Sequence, residues 1–418
     1  MGKKIKDKFK AIFGRFVASK KAIVITVVTG LAVIGVITTF AVLAVNARNK
    51  NTEIASEEIT EVIETEVSTE EPSLETVETE TESTTEEVTT QETTTETAAA
   101  VVAASNYIQV TNKTGSPSLD YDTTGPVFLS SDEVSVVVGS DFNLDQLVSY
   151  GDYYDACPNL SYSGYVDTNT LGSYSIVAKL TDASGNETTK NMTINVVSSK
   201  PSETDNRTRI NYSDFMATYA ADNVHFGIDV SRWQGTIDFN AVKAAGAEFV
   251  IIRIGGWDGS ELYRDSCYDY NIKAAKEAGL KVGVYFHSND NTVSGMTTHS
   301  QQLLSMLDGV ELDFPVAFDW ESWSRFQKYN MSFQTLNQLF YTFHDTLAAG
   351  GYSTMLYSSK YYLENFWDNV YNYPVWLANY VTHTSYAGSY SIWQVNNIGR
   401  IDGVGGDVDL DIYYGSFN

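Results

Sequence analysis

The second half of the chain alternates between short apolar runs and amphipathic or polar stretches. Apolar runs of about four to eight residues, bounded by polar and turn residues, are typical of buried strands. Eight such runs lie at 224–230, 249–255, 281–287, 315–321, 353–359, 375–380, 390–395 and 408–414. Helical patterns lie between several of them, at 238–246, 268–279, 296–307 and 332–349. We therefore predict an α/β domain over residues 224–418, built as an irregular, TIM-like β/α barrel.

Residues 106–198 carry a different pattern, in which apolar and polar positions alternate over short distances. The strand-like runs are 134–138, 174–180 and 192–196, and turn residues separate them. Alternation is typical of strands with one buried face, so we predict a small all-β sandwich. We interpret it as a spacer in which no group of residues suggests chemistry. Binding of a wall polymer or a protein partner is the alternative. The polar stretch 199–223 is interpreted as a linker.

The amino-terminal segment has the charge pattern of a membrane anchor. Residues 1–21 contain eight lysines and arginines, and residues 22–45 form a 24-residue stretch without charge. About 20 apolar residues span a bilayer, whereas the apolar part of a signal peptide is about 7–15 residues long. We predict one transmembrane helix at 22–45, with residues 1–21 in the cytoplasm and the rest of the chain outside the cell. A signal peptide cleaved near residues 44–47 is the alternative.

Charge is distributed unevenly along the chain, whose formal net charge is −26. Sixteen glutamates and no lysine or arginine lie between Glu53 and Glu96. Residues 46–105 are therefore predicted to be a disordered acidic linker. So acidic a chain argues against a nucleic-acid partner, which requires a basic face. The two cysteines, Cys157 and Cys267, fall in different predicted domains and make no disulfide framework.

The run 315–321 ends in two carboxylates, Asp319 and Glu321. Residues i and i+2 of a strand point to the same face, roughly 6–7 Å apart, so the backbone aims both acids at one point. Such a pair could run acid/base chemistry on a glycosidic bond. The alternative is a solvated strand exit without a catalytic role.

Further acids occur in the first and last predicted strands, at Asp229, Asp409 and Asp411. In a closed barrel these two strands are neighbours, so Asp229 and Asp409 are predicted to share one mouth with the central pair. Carboxylates gathered in this way repel one another, which raises at least one pKa and keeps a general acid protonated. No metal or cofactor is predicted, because the histidines lack ligand spacing. They are His225, His287, His299, His344 and His383.

Aromatic residues recur on or just after the predicted strand ends. They are Trp233, Tyr285, Trp320, Trp376, Tyr380 and Trp393. Rings at the mouth of a barrel could stack on sugar faces, and core packing is the alternative for each of them.

Seven stretches together carry a resemblance to a known family. They are Gly227-Ile-Asp-Val-Ser-Arg-Trp-Gln-Gly235, Phe249-Val-Ile-Ile-Arg253, Ala278-Gly-Leu-Lys-Val-Gly-Val-Tyr285, Pro315-Val-Ala-Phe-Asp-Trp-Glu321, Val375-Trp-Leu-Ala-Asn-Tyr380, Ile392-Trp-Gln394 and Val408-Asp-Leu410. In these the domain resembles the glycoside hydrolase family 25 lysozymes, which are N-acetylmuramidases that cut peptidoglycan. The upstream module resembles bacterial immunoglobulin-like surface repeats at Asp122-Thr-Thr-Gly-Pro-Val127 and Thr181-Asp-Ala-Ser-Gly-Asn186.

The resemblance implies roles for individual residues. Glu321 matches the family's general acid, and Asp319 matches the acid that assists at the anomeric carbon. Asp229 and Asp409 match supporting acids of the cleft. The residues expected to contact the glycan are Trp233, Tyr285, Trp376, Tyr380, Trp393 and Asp411. The chain departs from the family at Asp411, where Asn is usual.

The predicted function is that of a membrane-anchored, extracellular peptidoglycan hydrolase that takes glycan strands as its partner. It would act in cell-wall remodelling or lysis. The alternatives are a non-catalytic wall-binding or scaffold protein on a hydrolase fold, and a hydrolase of another aminosugar polymer. Protein partners are not predicted.

Overall fold

The computed structural model describes residues 106–200 and 207–417. The predicted basic segment 1–21, transmembrane anchor 22–45 and acidic linker 46–105 lie outside the described residues. Across the part of the chain that is described, no helix combines the length and apolarity needed to span a bilayer.

The first module is a β-sandwich, as predicted. Its elements are β1 (Ile108–Gln109), β2 (Val127–Phe128), β3 (Glu133–Val137), α1 (Leu144–Leu147), β4 (Tyr150–Gly151), β5 (Asn159–Gly164), β6 (Gly172–Thr181) and β7 (Glu187–Val197). A five-stranded sheet in the order β1-β5-β6-β7-β3 faces the β2–β4 pair. Met192, Ile194 and Val196 alternate along β7 and are all buried in the module's core, as the period of a strand requires.

The second module is an eight-stranded closed barrel with helices outside it. Its first part comprises β8 (Ile210–Asn211), α2 (Tyr212–Tyr219), β9 (Val224–Val230), α3 (Phe239–Ala244), β10 (Phe249–Trp257), β11 (Leu262–Arg264), α4 (Tyr268–Glu277), β12 (Lys281–Ser288) and α5 (Val293–Leu307). Its second part comprises β13 (Val316–Asp319), α6 (Phe333–Ala349), β14 (Thr354–Ser359), α7 (Lys360–Asn365), β15 (Val375–Ala378), β16 (Ile392–Arg400) and β17 (Val408–Tyr414). Short 3₁₀ turns lie at Arg232–Gln234, Phe326–Tyr329 and Val370–Asn372.

All eight predicted runs are barrel strands, and the predicted α/β barrel is confirmed. Strands β9, β10, β12, β13, β14, β15 and β16 run parallel around the barrel. Strand β17 is antiparallel to both of its neighbours, β16 and β9, and closes the barrel. The reason is the short connection 401–407, because a parallel crossover needs about a dozen residues or more.

The prediction of a linker at 199–223 was wrong for its second half. Strand β8 pairs with β16, and helix α2 follows it directly. Tyr212 and Phe215, one helical turn apart, are 3% and 1% exposed and belong to the core around the barrel. Their i, i+3 spacing places both rings on one face of α2, which packs on the barrel.

The sandwich docks on the segment that follows Glu321. The Ser149 hydroxyl donates to the Trp323 carbonyl at 2.6 Å and accepts from the Phe326 amide at 3.0 Å. The Gln327 amide donates at 3.0 Å to two sandwich carbonyls, those of Asp145 and Val148. Both Ser149 and Gln327 are buried, so these bonds are shielded from water.

Apolar packing closes the same interface. A Cβ added at Gly151 would lie 2.7 Å from the ring of Phe326 and 2.8 Å from that of Phe333, so only glycine fits there. The sandwich that we interpret as a spacer therefore packs directly on the barrel. The cysteines are both free, as expected, and half-buried.

Candidate active site

The barrel mouth gathers four predicted acids from three strands. Asp229 is the second-last residue of β9, and Asp319 is the last residue of β13. Glu321 lies two residues beyond Asp319. Asp409 pairs in register with Asp229 across the β17–β9 ladder. Because β17 runs antiparallel, its first residues lie at the same end as the carboxyl ends of the other strands. The predicted meeting of these acids is confirmed, while their catalytic roles stay predictions.

A cleft of about 400 Å³ opens at this mouth. It is lined by Asp229, Ser231, Trp233, Gln234, Arg253, Tyr285, His287, Asp319, Glu321, Tyr357, Trp376, Tyr380, Gln394, Asn397 and Asp409. Four of the six aromatic or acidic residues expected to contact a glycan are therefore in place. Trp233 is 75% exposed, and the Arg232 guanidinium lies over its ring at 5.1 Å from the centroid.

Two predicted ligand contacts are corrected. Trp393 is 4% exposed, packs on Tyr219 in the outer core and donates its indole N–H to the Asn379 carbonyl at 2.8 Å. Its side chain points away from the barrel interior, because alternate residues of a strand face opposite sides. Asp411 is fully buried and lies two residues deeper along β17 than Asp409. Neither residue lines the cleft.

Asp411 instead supports the cleft from below. Its Oδ1 accepts the indole N–H of Trp376 at 2.8 Å, which fixes that ring against the cleft wall. Burial raises the pKa of Asp411 well above its usual range, and the charge of Asp409 adds to this. A residue predicted to bind substrate is therefore a positioning residue for Trp376.

Sequence reasoning missed several polar residues of the cleft. Arg253, Tyr357 and Gln394 are each buried within otherwise apolar strands, and His287 lies near the end of β12. The signal that could have found them is a polar residue interrupting a buried run, because such a residue needs a partner.

Gln394 connects two strands across the cleft floor. Its side-chain N–H donates to Asp229 Oδ2 at 2.7 Å. Its carbonyl oxygen accepts the hydroxyls of Tyr357 at 2.9 Å and Tyr380 at 2.8 Å. Burial raises the pKa of Asp229 well above its usual range, and the Asp411 charge raises it further, while the bond from Gln394 opposes the shift.

The central pair has an imidazole beside it. His287 pairs in register with Asp319, and the ligand atoms of His287, Asp319 and Glu321 all lie within 4.8 Å of one another. His287 is therefore a cleft residue, which the spacing of the histidines in the sequence did not predict. Such a triad has the donors to hold one cation. Burial and the Arg253 charge lower the pKa of His287 to about 4, so its ring is neutral at pH 7.

The two central acids differ in their surroundings. Asp319 is 4% exposed, and its Oδ1 has no hydrogen-bond partner. Burial raises its pKa well above the usual range; the charges of Glu321 and Asp229 add to this, and Arg253 opposes it. Glu321 lines the cleft and is an exposed residue, in contrast to Asp319. Burial also raises its pKa, against a hydrogen bond from Tyr357.

A second pocket, of about 900 Å³, lies at the opposite end of the barrel. Leu280, Phe314 and Ser353 line it, and each directly precedes or nearly precedes a barrel strand. It is larger than the cleft, but none of the four mouth acids lines it. Size alone therefore does not identify the functional end, and the convergence of acids does.

A closed β/α barrel with paired acids and exposed rings at its mouth is compatible with glycoside hydrolysis. Residues 228–404 match the family model of glycosyl hydrolases family 25, and residues 128–196 match that of the bacterial surface protein Ig-like domain. The chain thus contains a family 25 domain preceded by a bacterial Ig-like domain, and both resemblances are confirmed.

Individual relatives match the barrel region. The autolytic lysozyme of Clostridium acetobutylicum is 32% identical over 187 residues, which cover 44% of this chain and 54% of that protein. Lysozyme M1 of Streptomyces globisporus is 29% identical over 46% of this chain and 68% of its own length. The chain thus spans about half the length of the first relative.

Among solved structures, the modular autolysin LytC from Streptococcus pneumoniae, in complex with synthetic peptidoglycan ligand, is similar with a TM-score of 0.43. It is 21% identical, and the match covers 57% of this chain and 56% of that one.

Proposed function

We propose that this chain is a membrane-anchored, extracellular muramidase. It would hydrolyse the β-1,4 bond between N-acetylmuramic acid and N-acetylglucosamine in peptidoglycan, during wall remodelling or lysis. The observation that carries the proposal is the convergence of Asp319 and Glu321 in one cleft, where an oxygen of each lies within 4.8 Å of the other and both pKa values are raised. The family 25 domain and the names of the lysozyme relatives support the choice of bond.

Glu321 is the proposed general acid. Its raised pKa keeps a proton available, and its position at the opening lets it reach the glycosidic oxygen. As the bond from the anomeric carbon to that oxygen breaks, the electron pair leaves with the N-acetylglucosamine unit. The oxygen takes the Glu321 proton and becomes a hydroxyl. Water then adds to the anomeric carbon and returns a proton to Glu321.

Asp319 is proposed to stabilise the positive charge at the anomeric carbon, either directly or by orienting the acetamido oxygen of the substrate. One of its oxygens lies within 4.8 Å of a Glu321 oxygen. Retaining glycosidases separate their carboxyl groups by about 5–5.5 Å, whereas inverting ones leave about 6.5–9.5 Å for a water molecule. Both routes are double displacements at the anomeric carbon and therefore retain its configuration.

Arg253 tunes this pair from below. Its Nε donates to Asp265 Oδ2 at 2.7 Å, and the ion pair is buried. The guanidinium charge lowers the pKa of Asp319 and so opposes the effects of burial and of Glu321. Arg253 therefore favours the ionised form of Asp319, against the net rise of its pKa.

Membrane anchoring is part of the proposal and rests on the amino-terminal sequence. A charge-free stretch at 22–45 after a basic segment would hold the protein in the cell membrane. The acidic residues 46–105 would then extend from the outer surface, because like charges repel along the segment. The anchored enzyme would cut wall within reach of this tether.

The direct test is digestion of purified peptidoglycan by the full chain, with products identified by mass spectrometry after borohydride reduction. We expect soluble muropeptides whose reducing ends are N-acetylmuramic acid. NMR of the unreduced digest should show the β-anomer as the first product. Reducing ends of N-acetylglucosamine would show a different bond specificity. Sedimentation with the wall without product release would replace the proposal by the binding or scaffold function.

Activity should decline as pH rises through the raised pKa of Glu321, because the acid is active only when protonated. The hydroxyl of Tyr357 lowers that pKa by hydrogen bonding. Tyr357→Phe should therefore move the alkaline limb of the profile of kcat against pH to higher pH. Tyr380→Phe is the matched control, since it removes the other hydroxyl on Gln394 and should leave the limb in place. An unmoved limb in Tyr357→Phe contradicts the assignment of Glu321.

A further inference from the structure

Three aspartates meet inside the sandwich, far from the barrel mouth in sequence. Asp122 precedes β2, Asp152 follows β4, and Asp182 follows β6. Their side chains are 6%, 1% and 6% exposed, and one carboxylate oxygen of each lies within 4.8 Å of the others. The aspartates are 30 residues apart along the chain, so only the fold brings them together.

The surrounding loops hold the carboxylates in place. Asp122 Oδ1 accepts from the amide and hydroxyl of Thr124, at 3.1 and 3.0 Å. Asp182 accepts from the backbone and side-chain N–H groups of Asn186, both at 2.8 Å. These bonds orient two of the three acids through their local turns.

Asp152 is the member with an unused oxygen. Its Oδ1 accepts from the amides of Tyr154 and Asp155, at 2.7 and 2.6 Å. Its Oδ2 is buried and has no hydrogen-bond partner. A buried acceptor without a donor is costly, and it is the group that a bound cation would satisfy.

Positive charge that could balance the cluster is missing from its protein neighbours. Within residues 106–200 and 207–417, no lysine or arginine forms an ion pair with any of the three aspartates. Several ionised acids buried together need a counter-charge, because their mutual repulsion is strong in a poorly solvated site.

We propose that Asp122, Asp152 and Asp182 bind one divalent cation, and that this cation is Ca²⁺. The donors are all carboxylate oxygens, which hard cations prefer, and neither histidine nor a thiolate belongs to the cluster. The ligands come from three separate loops, and Ca²⁺ tolerates such irregular geometry better than Mg²⁺, which demands a near-ideal octahedron.

The site is continuous with the interface between the two modules. The Asp152 carbonyl accepts from the Phe333 amide at 2.9 Å, and the Tyr153 carbonyl accepts from the Gln334 amide at 3.0 Å. A cation on the Asp152 side chain would fix the short segment that caps the start of α6. Binding should therefore stabilise the barrel as well as the sandwich, whatever reaction the cleft performs.

The experiment is thermal unfolding of the full chain after treatment with EDTA, followed by titration with CaCl₂. We expect Tm to rise with Ca²⁺ concentration. The dissociation constant should be about 0.1–1 mM, which is typical of Ca²⁺ sites in extracellular modules. At 100 times the dissociation constant, the folding equilibrium should shift about 100-fold. Calorimetric titration should give one site per chain.

Asp152→Asn should remove the response to Ca²⁺ and raise the Tm of the cation-free protein, since it relieves repulsion. Asp141→Asn, which changes an exposed acid of the same module, should respond like the unchanged protein. Asp122→Asn repeats the test if Asp152→Asn does not fold. The site is overturned if Ca²⁺ still raises the Tm of Asp152→Asn and of Asp122→Asn. It is also overturned if Ca²⁺ does not change the Tm of the unchanged protein. An equal effect of MgCl₂ overturns the choice of Ca²⁺.

Discussion

Replacement of Glu321 by glutamine should lower kcat on peptidoglycan by about 10²–10⁴-fold, the usual contribution of a general acid. The amide has the shape of the carboxyl group but no proton to give at working pH. Because the cleft keeps its rings and its other acids, wall binding should be retained. Release of reducing ends and co-sedimentation with undigested wall, measured on the same preparation, separate the two effects.

The matched control is Glu311→Gln, an exposed glutamate that lines the pocket at the opposite end of the barrel. It makes the same replacement of a carboxyl group by an amide and should leave kcat unchanged. If Glu321→Gln keeps full activity, the acid lies elsewhere, and Asp409, which also lines the cleft and has a raised pKa, becomes the next candidate.

Replacement of Asp319 by alanine should lower kcat by about 10²–10³-fold, the scale seen when one electrostatic contact to a transition state is removed. The substitution also separates the two ways in which Asp319 could act. If its carboxylate meets the anomeric carbon itself, azide can enter the vacated space and restore turnover with an inverted glycosyl azide as product. If the substrate's acetamido oxygen does so, azide should have no effect.

Asp313→Asn is the control for this second substitution. Asp313 precedes β13 and forms an ion pair with Lys281 at 2.8 Å, at the amino end of the barrel. Its replacement tests whether the loss of any carboxylate near this strand lowers kcat. If Asp313→Asn and Asp319→Ala lower kcat to a comparable extent, the effect is a general one on the strand. That result would contradict a specific role of Asp319 in the reaction.

The strands were predictable because their burial is complete. Residues such as Val250, Ile252 and Ile254 are almost fully buried, and a continuous apolar run is what a parallel strand covered on both faces requires. The convergence of Asp319 and Glu321 was also predictable from local sequence, because the two residues are two positions apart.

What could not be predicted depends on contacts between distant segments. The direction of β17 decides that Asp409 faces the cleft and that Asp411 lies beneath it, yet both acids look equivalent in sequence. Trp393 sits next to Gln394 and faces the opposite way, so the register of one strand separates a core ring from a cleft amide. Closeness to a strand end was therefore not enough to predict whether Asp411 or Trp393 lines the cleft.

Helix α2 was missed for a related reason. Its sequence is polar enough to suggest a linker, and only Tyr212 and Phe215 are buried along it. Two apolar residues one turn apart are a weak local signal. The barrel supplies the surface that stabilises the helix, because a helix of eight residues is marginal on its own.

The docked sandwich has a consequence for how such chains can be recombined in evolution or in the laboratory. A barrel cut free of it would expose the rings of Phe326 and Phe333 and leave the Gln327 side chain without two acceptors. A foreign module fused in its place would need a glycine where Gly151 lies and a hydroxyl where Ser149 lies. Separating the two modules is therefore expected to expose apolar surface on the barrel and to lower its solubility.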